Sequence, residues 1–107
     1  MLFNDSNVKL EAENGILTAC IIGEIDHHNA KFARRKIDVE LESTRPGELI
    51  LDLSGVNFMD SSGLGLILGR YNKATELGIG FAVKNPTPAT MKILSLAGGE
   101  RIIKIIK

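Results

Sequence analysis

The feature that most restricts the fold is a hydrophobic period that switches along the chain between two and about 3.6 residues. Asn7–Glu13 alternates, with Val8, Leu10 and Ala12 on one face and Lys9, Glu11 and Glu13 on the other. Asn14-Gly15 follows, and Ile16–Ile22 is then apolar and β-branched. A type I′ turn needs φ > 0 at both central residues, so an Asn-Gly pair between two such runs predicts a hairpin. From Asn29 to Thr44 the period changes. Ala30, Ala33, Ile37 and Leu41 fall at helical spacing, and Lys31, Arg34, Arg35, Asp38 and Glu42 take the wet side.

Pro46-Gly47 ends that helix, and Glu48–Leu53 (ELILDL) reads as a strand covered on at least one face. Ser62–Leu77 is helical again, with Leu64, Ile67, Leu68, Tyr71, Ala74 and Leu77 as its apolar stripe and Gly78 placed for a left-handed C-terminal cap. Ile79–Val83 is a further strand. Thr87-Pro88 supplies an N-cap followed by proline at the first helical position, Met91, Leu94 and Ala97 mark a short third helix, and Gly98-Gly99 stops it. Arg101–Ile106 (RIIKII) reads as a last strand. The order ββαβαβαβ predicts one α/β domain over residues 1–107. Its mixed β-sheet opens on an antiparallel hairpin and is completed by right-handed crossover helices.

Composition narrows the function. Thirteen Lys+Arg against thirteen Asp+Glu give zero net charge, so no basic excess is present to neutralise a phosphate backbone. At 44% apolar residues a packed core is expected. A lone Cys20 excludes an internal disulfide and a cysteine-rich metal site. MLFNDSNVKLEAEN meets acidic residues early and does not read as a signal peptide, and the longest apolar run is far short of a membrane span. The expectation is a soluble, cytosolic protein. No GxxxxGK[ST] loop exists, Gly63 and Gly65 lack a third glycine at the dinucleotide spacing, and no GxSxG elbow surrounds Ser61 or Ser62. Asp26, His27 and Ser61 are the right types for a hydrolytic triad, but a chain of this length usually contains such a set. His27-His28 diverge on a helix or strand and have no third ligand, so no metal site is expected.

Two junctions stand out. Phe58-Met59-Asp60-Ser61-Ser62-Gly63-Leu64-Gly65 joins a strand to a helix. Asp60, Ser61 and Ser62 are good N-capping types, which explains one or two of them. Capping does not explain glycines at 63, 65 and 69 of a helix, each costing about 1 kcal/mol against alanine. Gly65 and Gly69 share a face and would let another backbone approach, either the sheet beneath or a separate partner. The second junction, Gly23 to Ala30 (GEIDHHNA), also leads from a strand into a helix, where Asp26 or a neighbour could cap. Loops at the carboxyl ends of parallel strands gather at one edge of an α/β sheet, where function usually sits.

GEIDHHNA at 23–30, FMDSSGLGLILGRY at 58–71 and the segment Pro88…Met91…Leu94…Gly98 together resemble an anti-sigma factor antagonist, the sporulation-type STAS domain protein. The resemblance spans nearly the whole chain, in order and at the right spacing. It implies a STAS-like fold and a phosphorylation switch, with no catalytic residue and no cofactor. The family's acceptor serine directly follows the aspartate of DSSG, and that position here is Ser61. The implied partner is an anti-sigma factor with serine kinase activity and a bound nucleotide. Unphosphorylated protein would bind it and release its sigma factor, phosphorylation of Ser61 would end binding, and a serine phosphatase would reset the cycle.

Asp26 would contact the partner or position the hydroxyl, or simply cap a helix. Asp60 would orient Ser61, approach the partner's metal-nucleotide site, or only complement the helix dipole. Ser62 is the expected capping or supporting hydroxyl. Leu64 and Gly65 would give apolar, close-approach surface, and Gly23, Glu24, His27 and Gly63 complete the expected partner-binding set. Met91 and Leu94 are expected in the core. A monomer is expected, in the cytoplasm, without direct nucleic-acid or membrane contact. The family pattern runs on into one more helix where this sequence ends at Lys107, and Gly99-Glu100 stands where an apolar residue is common. Both departures predict partial uncovering of Ile102, Ile103, Ile105 and Ile106, an edge that invites self-association. Alternatives are a STAS module of a stress-response kinase system, or a phosphoryl carrier or small hydrolase using His27 or Asp26.

Overall fold

The computed structural model describes residues 7–107. Strands β1 (Val8–Glu13) and β2 (Ile16–Ile25) pair antiparallel around Asn14 and Gly15, whose φ angles of 54° and 79° are what the predicted turn requires. β2 then pairs in parallel with β3 (Glu48–Met59), β3 with β4 (Gly80–Lys84), and β4 with β5 (Lys104–Ile106). The spatial order β1-β2-β3-β4-β5 follows the chain. Helices α1 (His27–Thr44), α2 (Ser61–Glu76) and α3 (Pro88–Leu96) make the crossovers, and a 3₁₀ turn at Gly99–Arg101 leads into β5. The expected mixed sheet and element order are both present.

Strand register explains the core. Leu17 and Ala19 of β2 sit opposite Leu49 and Leu51 of β3, and Leu51 sits opposite Val83 of β4. All five are buried, in one cluster with Ile37 and Leu41 of α1, Ile67 and Ala74 of α2, and Leu94 of α3. The alternate residues Thr18, Cys20, Ile50 and Asp52 are only half-buried, so the helices cover one face of the sheet. Met91 is half-buried and outside that cluster, so of the two α3 residues expected in the core only Leu94 is there. Among the described residues, no helix is long and apolar enough to cross a membrane.

The elements depart from the predicted bounds where backbone pairing outlasts the apolar pattern. β2 and β3 run on to Ile25 and Met59, beyond the expected ends at Ile22 and Leu53. Their distal halves pair Ile22 with Gly55, Glu24 with Phe58 and Ile25 with Met59, through register shifts on either side of Ile22–Gly23. A bulge breaks the period of two, and with it the sequence signal. β5 is shorter than Arg101–Ile106 because Gly98, at φ 75°, turns the chain into the 3₁₀ turn first. The α2 stripe is also wider than predicted. Gly63, Leu66 and Arg70 are buried beside Ile67 and Ala74, because α2 packs against α1 as well as the sheet. At the C-terminal edge the expected uncovering is partial: Ile102 is 55% exposed, Ile105 and Ile106 are half-buried, and Ile103 is buried.

Candidate functional site

Because Ile25 and Met59 are paired, the residues that follow them, Asp26 and Asp60, emerge side by side at the carboxyl ends of β2 and β3. The Asp60 N–H donates to the Ile25 carbonyl at 3.2 Å, tying the two junctions together. Each aspartate caps a helix. Asp26 Oδ1 accepts from the Asn29 N–H at 2.8 Å at the start of α1, and Asp60 Oδ1 accepts from the Ser62 N–H at 2.7 Å at the start of α2. Both caps are extended in backbone, as a side-chain cap requires. The helices therefore begin two residues and one residue earlier than Asn29 and Ser62, the predicted starts.

This arrangement places Ser61 at the first helical position of α2, exposed, directly after the cap. Ser62 is not the capping hydroxyl: its own N–H is held by Asp60, and its side chain faces a groove toward α1. A group on Ser61 would thus feel the positive end of the α2 dipole, but the Ser62 N–H is already taken by the neighbouring carboxylate. Glu24 and His27 are exposed on the same edge. Gly23 has φ 87°, a left-handed conformation at the register shift in β2, so its first role is to bend the strand end.

Three glycines near the start of α2 have different duties. Gly63, expected on the docking surface, is buried and faces the strand ends. A Cβ there would lie 2.6 Å from the Met59 sulfur, would overlap Met59 Cγ, and would sit 3.1 Å from Ile25 Cγ2. It sets how closely α2 seats on the sheet, and its position is a correction to the expected contact set. Gly65 and Gly69 behave oppositely. A Cβ at either meets nothing within 4 Å, so the sheet is not what approaches them. Leu64 is half-buried and packs against the core while remaining partly open.

Sequence reasoning missed the seam between α1 and α2. An open groove of about 480 Å³ runs along it, starting at His27 and Ser62 and passing Lys31, Arg34, Gly65 and Gly69. Arg70 lies at its far end, only 5% exposed, with its Nε 3.2 Å from Asp38 Oδ1. That contact is ionic without hydrogen-bond alignment: among the described residues Arg70 Nε and Nη1 and Asp38 Oδ1 have no hydrogen-bond partner. Burial pushes the Arg70 guanidinium below the usual arginine value, Asp38 opposes this, and Arg34 adds to it. The available signal was the spacing 63, 66, 67, 70 and 74, which puts an arginine on the buried face. Phe58, 50% exposed and paired with Glu24, also adds apolar surface beside the junction. Among the described residues no group of three or more His, Cys, Asp or Glu is placed to hold a metal ion.

The family model of the STAS domain matches residues 7–107. An anti-sigma F factor antagonist from Paenibacillus polymyxa is 34% identical over 98 residues, covering 92% of this chain and 84% of that protein. The solved structure of the anti-sigma factor antagonist SpoIIAA in its unphosphorylated form matches with a TM-score of 0.81 at 27% identity, over 94% of this chain and 88% of that one. The Bacillus cell fate determinant SpoIIAA in its phosphorylated form matches with a TM-score of 0.75 at 27% identity, over 94% and 91% of the two chains. These matches span most of each relative, and the chain belongs to the STAS domain family, with anti-sigma factor antagonists among its relatives.

Proposed function

We propose that this protein is an anti-sigma factor antagonist whose binding is switched by phosphorylation of Ser61. The observation that carries the reading is the place of Ser61: exposed, first in α2, next to the capping Asp60, on the edge where β2 and β3 both end. The existence of SpoIIAA in phosphorylated and unphosphorylated forms supports a covalent switch in a relative with this fold. The docking surface comprises Ser61 and Ser62, the neighbouring Glu24, Asp26, His27 and Asp60, and the apolar Phe58 and Leu64. Gly23 and Gly63 shape it from beneath, and Gly65 leaves it open.

The partner is an anti-sigma factor that is also a serine kinase with bound nucleotide, and the protein itself needs no catalytic group or cofactor. The unphosphorylated protein occupies the partner in the cytoplasm and displaces the sigma factor. A phosphate on Ser61 adds about −1.5 to −2 charges beside Asp60. Across an interface built for a neutral hydroxyl, such like-charge contact costs several kcal/mol. The fold itself tolerates the phosphate, because the α2 dipole favours negative charge at its N-terminus. A serine phosphatase restores the binding form.

Incubation with the anti-sigma factor kinase and ATP, followed by mass-spectrometric mapping, tests the assignment. One acid-stable phosphate on Ser61, absent from Ser61→Ala, is expected. Phosphate on Ser62, acid-labile phosphate on His27, or normal labelling of Ser61→Ala would overturn it.

A further inference from the structure

The α1–α2 groove has properties that the fold does not require. Gly65 and Gly69 sit inside a helix, where each costs about 1 kcal/mol against alanine. Neither is demanded by internal packing, since a Cβ at either position meets nothing within 4 Å. Opposite them α1 presents His27, Lys31 and Arg34 on successive turns, and Arg70 lines the same groove from α2. No carboxylate lines it, although the chain as a whole is electrically neutral. Asp38, just outside, is shared between Arg70 at 3.2 Å and Arg34 at 3.8 Å. Arg70 is 95% enclosed, so beside Asp38 it adds positive potential behind the groove, while Lys31 and Arg34 are exposed at its wall.

We propose that this groove seats an acidic segment of the anti-sigma factor partner, its main chain over Gly65 and Gly69 and its carboxylates toward Lys31 and Arg34. The inference rests on the partner-binding reading above and extends it from the Ser61 edge along the helix seam. Charge complementarity selects the partner's chemistry: two exposed cationic side chains and a histidine, with no carboxylate in the lining, call for carboxylates. Bare helix backbone at Gly65 and Gly69 selects a polypeptide, because close approach of two main chains is what a missing Cβ permits. A nucleotide fits less well, since the groove is open along its length and its lining offers a base only the exposed His27 ring, with no second ring or apolar slot to enclose it. The groove begins at His27 and Ser62, next to Asp26 and Ser61, so one partner can span both regions.

Calorimetric titration with the purified anti-sigma factor tests this through two variants. Lys31→Glu/Arg34→Glu reverses two exposed charges. It is expected to weaken binding tenfold or more and to flatten its salt dependence, since two attractive pairs become repulsive. Gly69→Leu fills the open floor, and is expected to weaken binding tenfold or more with an unchanged or higher Tm. Wild-type affinity in both variants would overturn the proposal while leaving the Ser61 switch intact. Failure of the wild-type protein to bind any anti-sigma factor would sink the switch instead. The groove is then decided by NMR titration with a ten-residue glutamate-rich peptide. Salt-sensitive shifts centred on the amides of Lys31, Arg34, Gly65 and Gly69 support it. Shifts there with ATP or inorganic phosphate but not with the peptide, self-association that the variants abolish, or no shifts at all overturn it.

Discussion

Residue by residue, the start of α2 separates what the fold needs from what a partner needs. Gly63 is packed against Met59 and Ile25, whereas Gly65, two residues on, faces open space. The same substitution should therefore change sign: Gly63→Ala should destabilise by roughly 1–3 kcal/mol through overpacking. Gly65→Ala should stabilise by about 0.5–1 kcal/mol through helix propensity. Urea denaturation of the two variants checks both, and equal effects would contradict the geometry. The caps carry a second expectation. Asp60→Ala releases the Ser62 N–H and should cost roughly 0.5–2 kcal/mol by the same assay. Sequence alone showed that Asp60, Ser61 and Ser62 included a cap, but not which, because all three are good capping types. The choice follows from the pairing of Ile25 with Met59, which depends on contacts distant in the chain.

Between elements, the α1–α2 seam was the least legible part, since it joins residues of two separate helical patterns. Each helix showed its own apolar stripe. Nothing in either pattern indicated that Asp38 would meet Arg70 or that Glu42 would meet Lys73. Removing the counter-charge with Asp38→Ala leaves Arg70 enclosed and should cost roughly 1–3 kcal/mol, whereas the double change Asp38→Leu/Arg70→Met should be near neutral, because well-packed apolar side chains can replace both members of a buried ion pair. Thermal unfolding of the two variants distinguishes these outcomes. The pair Lys73–Glu42, with Nζ 2.6 Å from Oε2, sets a pH dependence. The hydrogen bond and charge of Lys73 hold the Glu42 carboxyl below its usual value, and Glu42 in turn raises Lys73. A depressed carboxylate stabilises the fold above its unfolded pKa and loses that contribution as pH falls through its folded value. A raised lysine loses its contribution as pH rises through its folded value. The clamp therefore works across the neutral range and weakens at both extremes, and Lys73→Met should remove this part of the pH dependence of Tm.

For the molecule as a whole, the element order and the hairpin were readable because the pattern is local: Asn14-Gly15 fixes one turn, and alternating elements leave few topologies. The long distal pairing of β2 with β3 was not readable, because Gly23 and the register shifts interrupt the alternation where the site is built. That pairing brings Asp26, Asp60 and Ser61 to one edge and leaves the serine outside. The claim on which the account depends is that charge added at this hydroxyl abolishes docking without unfolding the domain. Titrating the anti-sigma factor, loaded with ADP, against the unphosphorylated and the Ser61-phosphorylated protein measures it directly. The expected result is a Kd about a hundredfold or more higher for the phosphorylated form, with the circular dichroism of the two forms superimposable. Equal affinities for the two folded forms would contradict it.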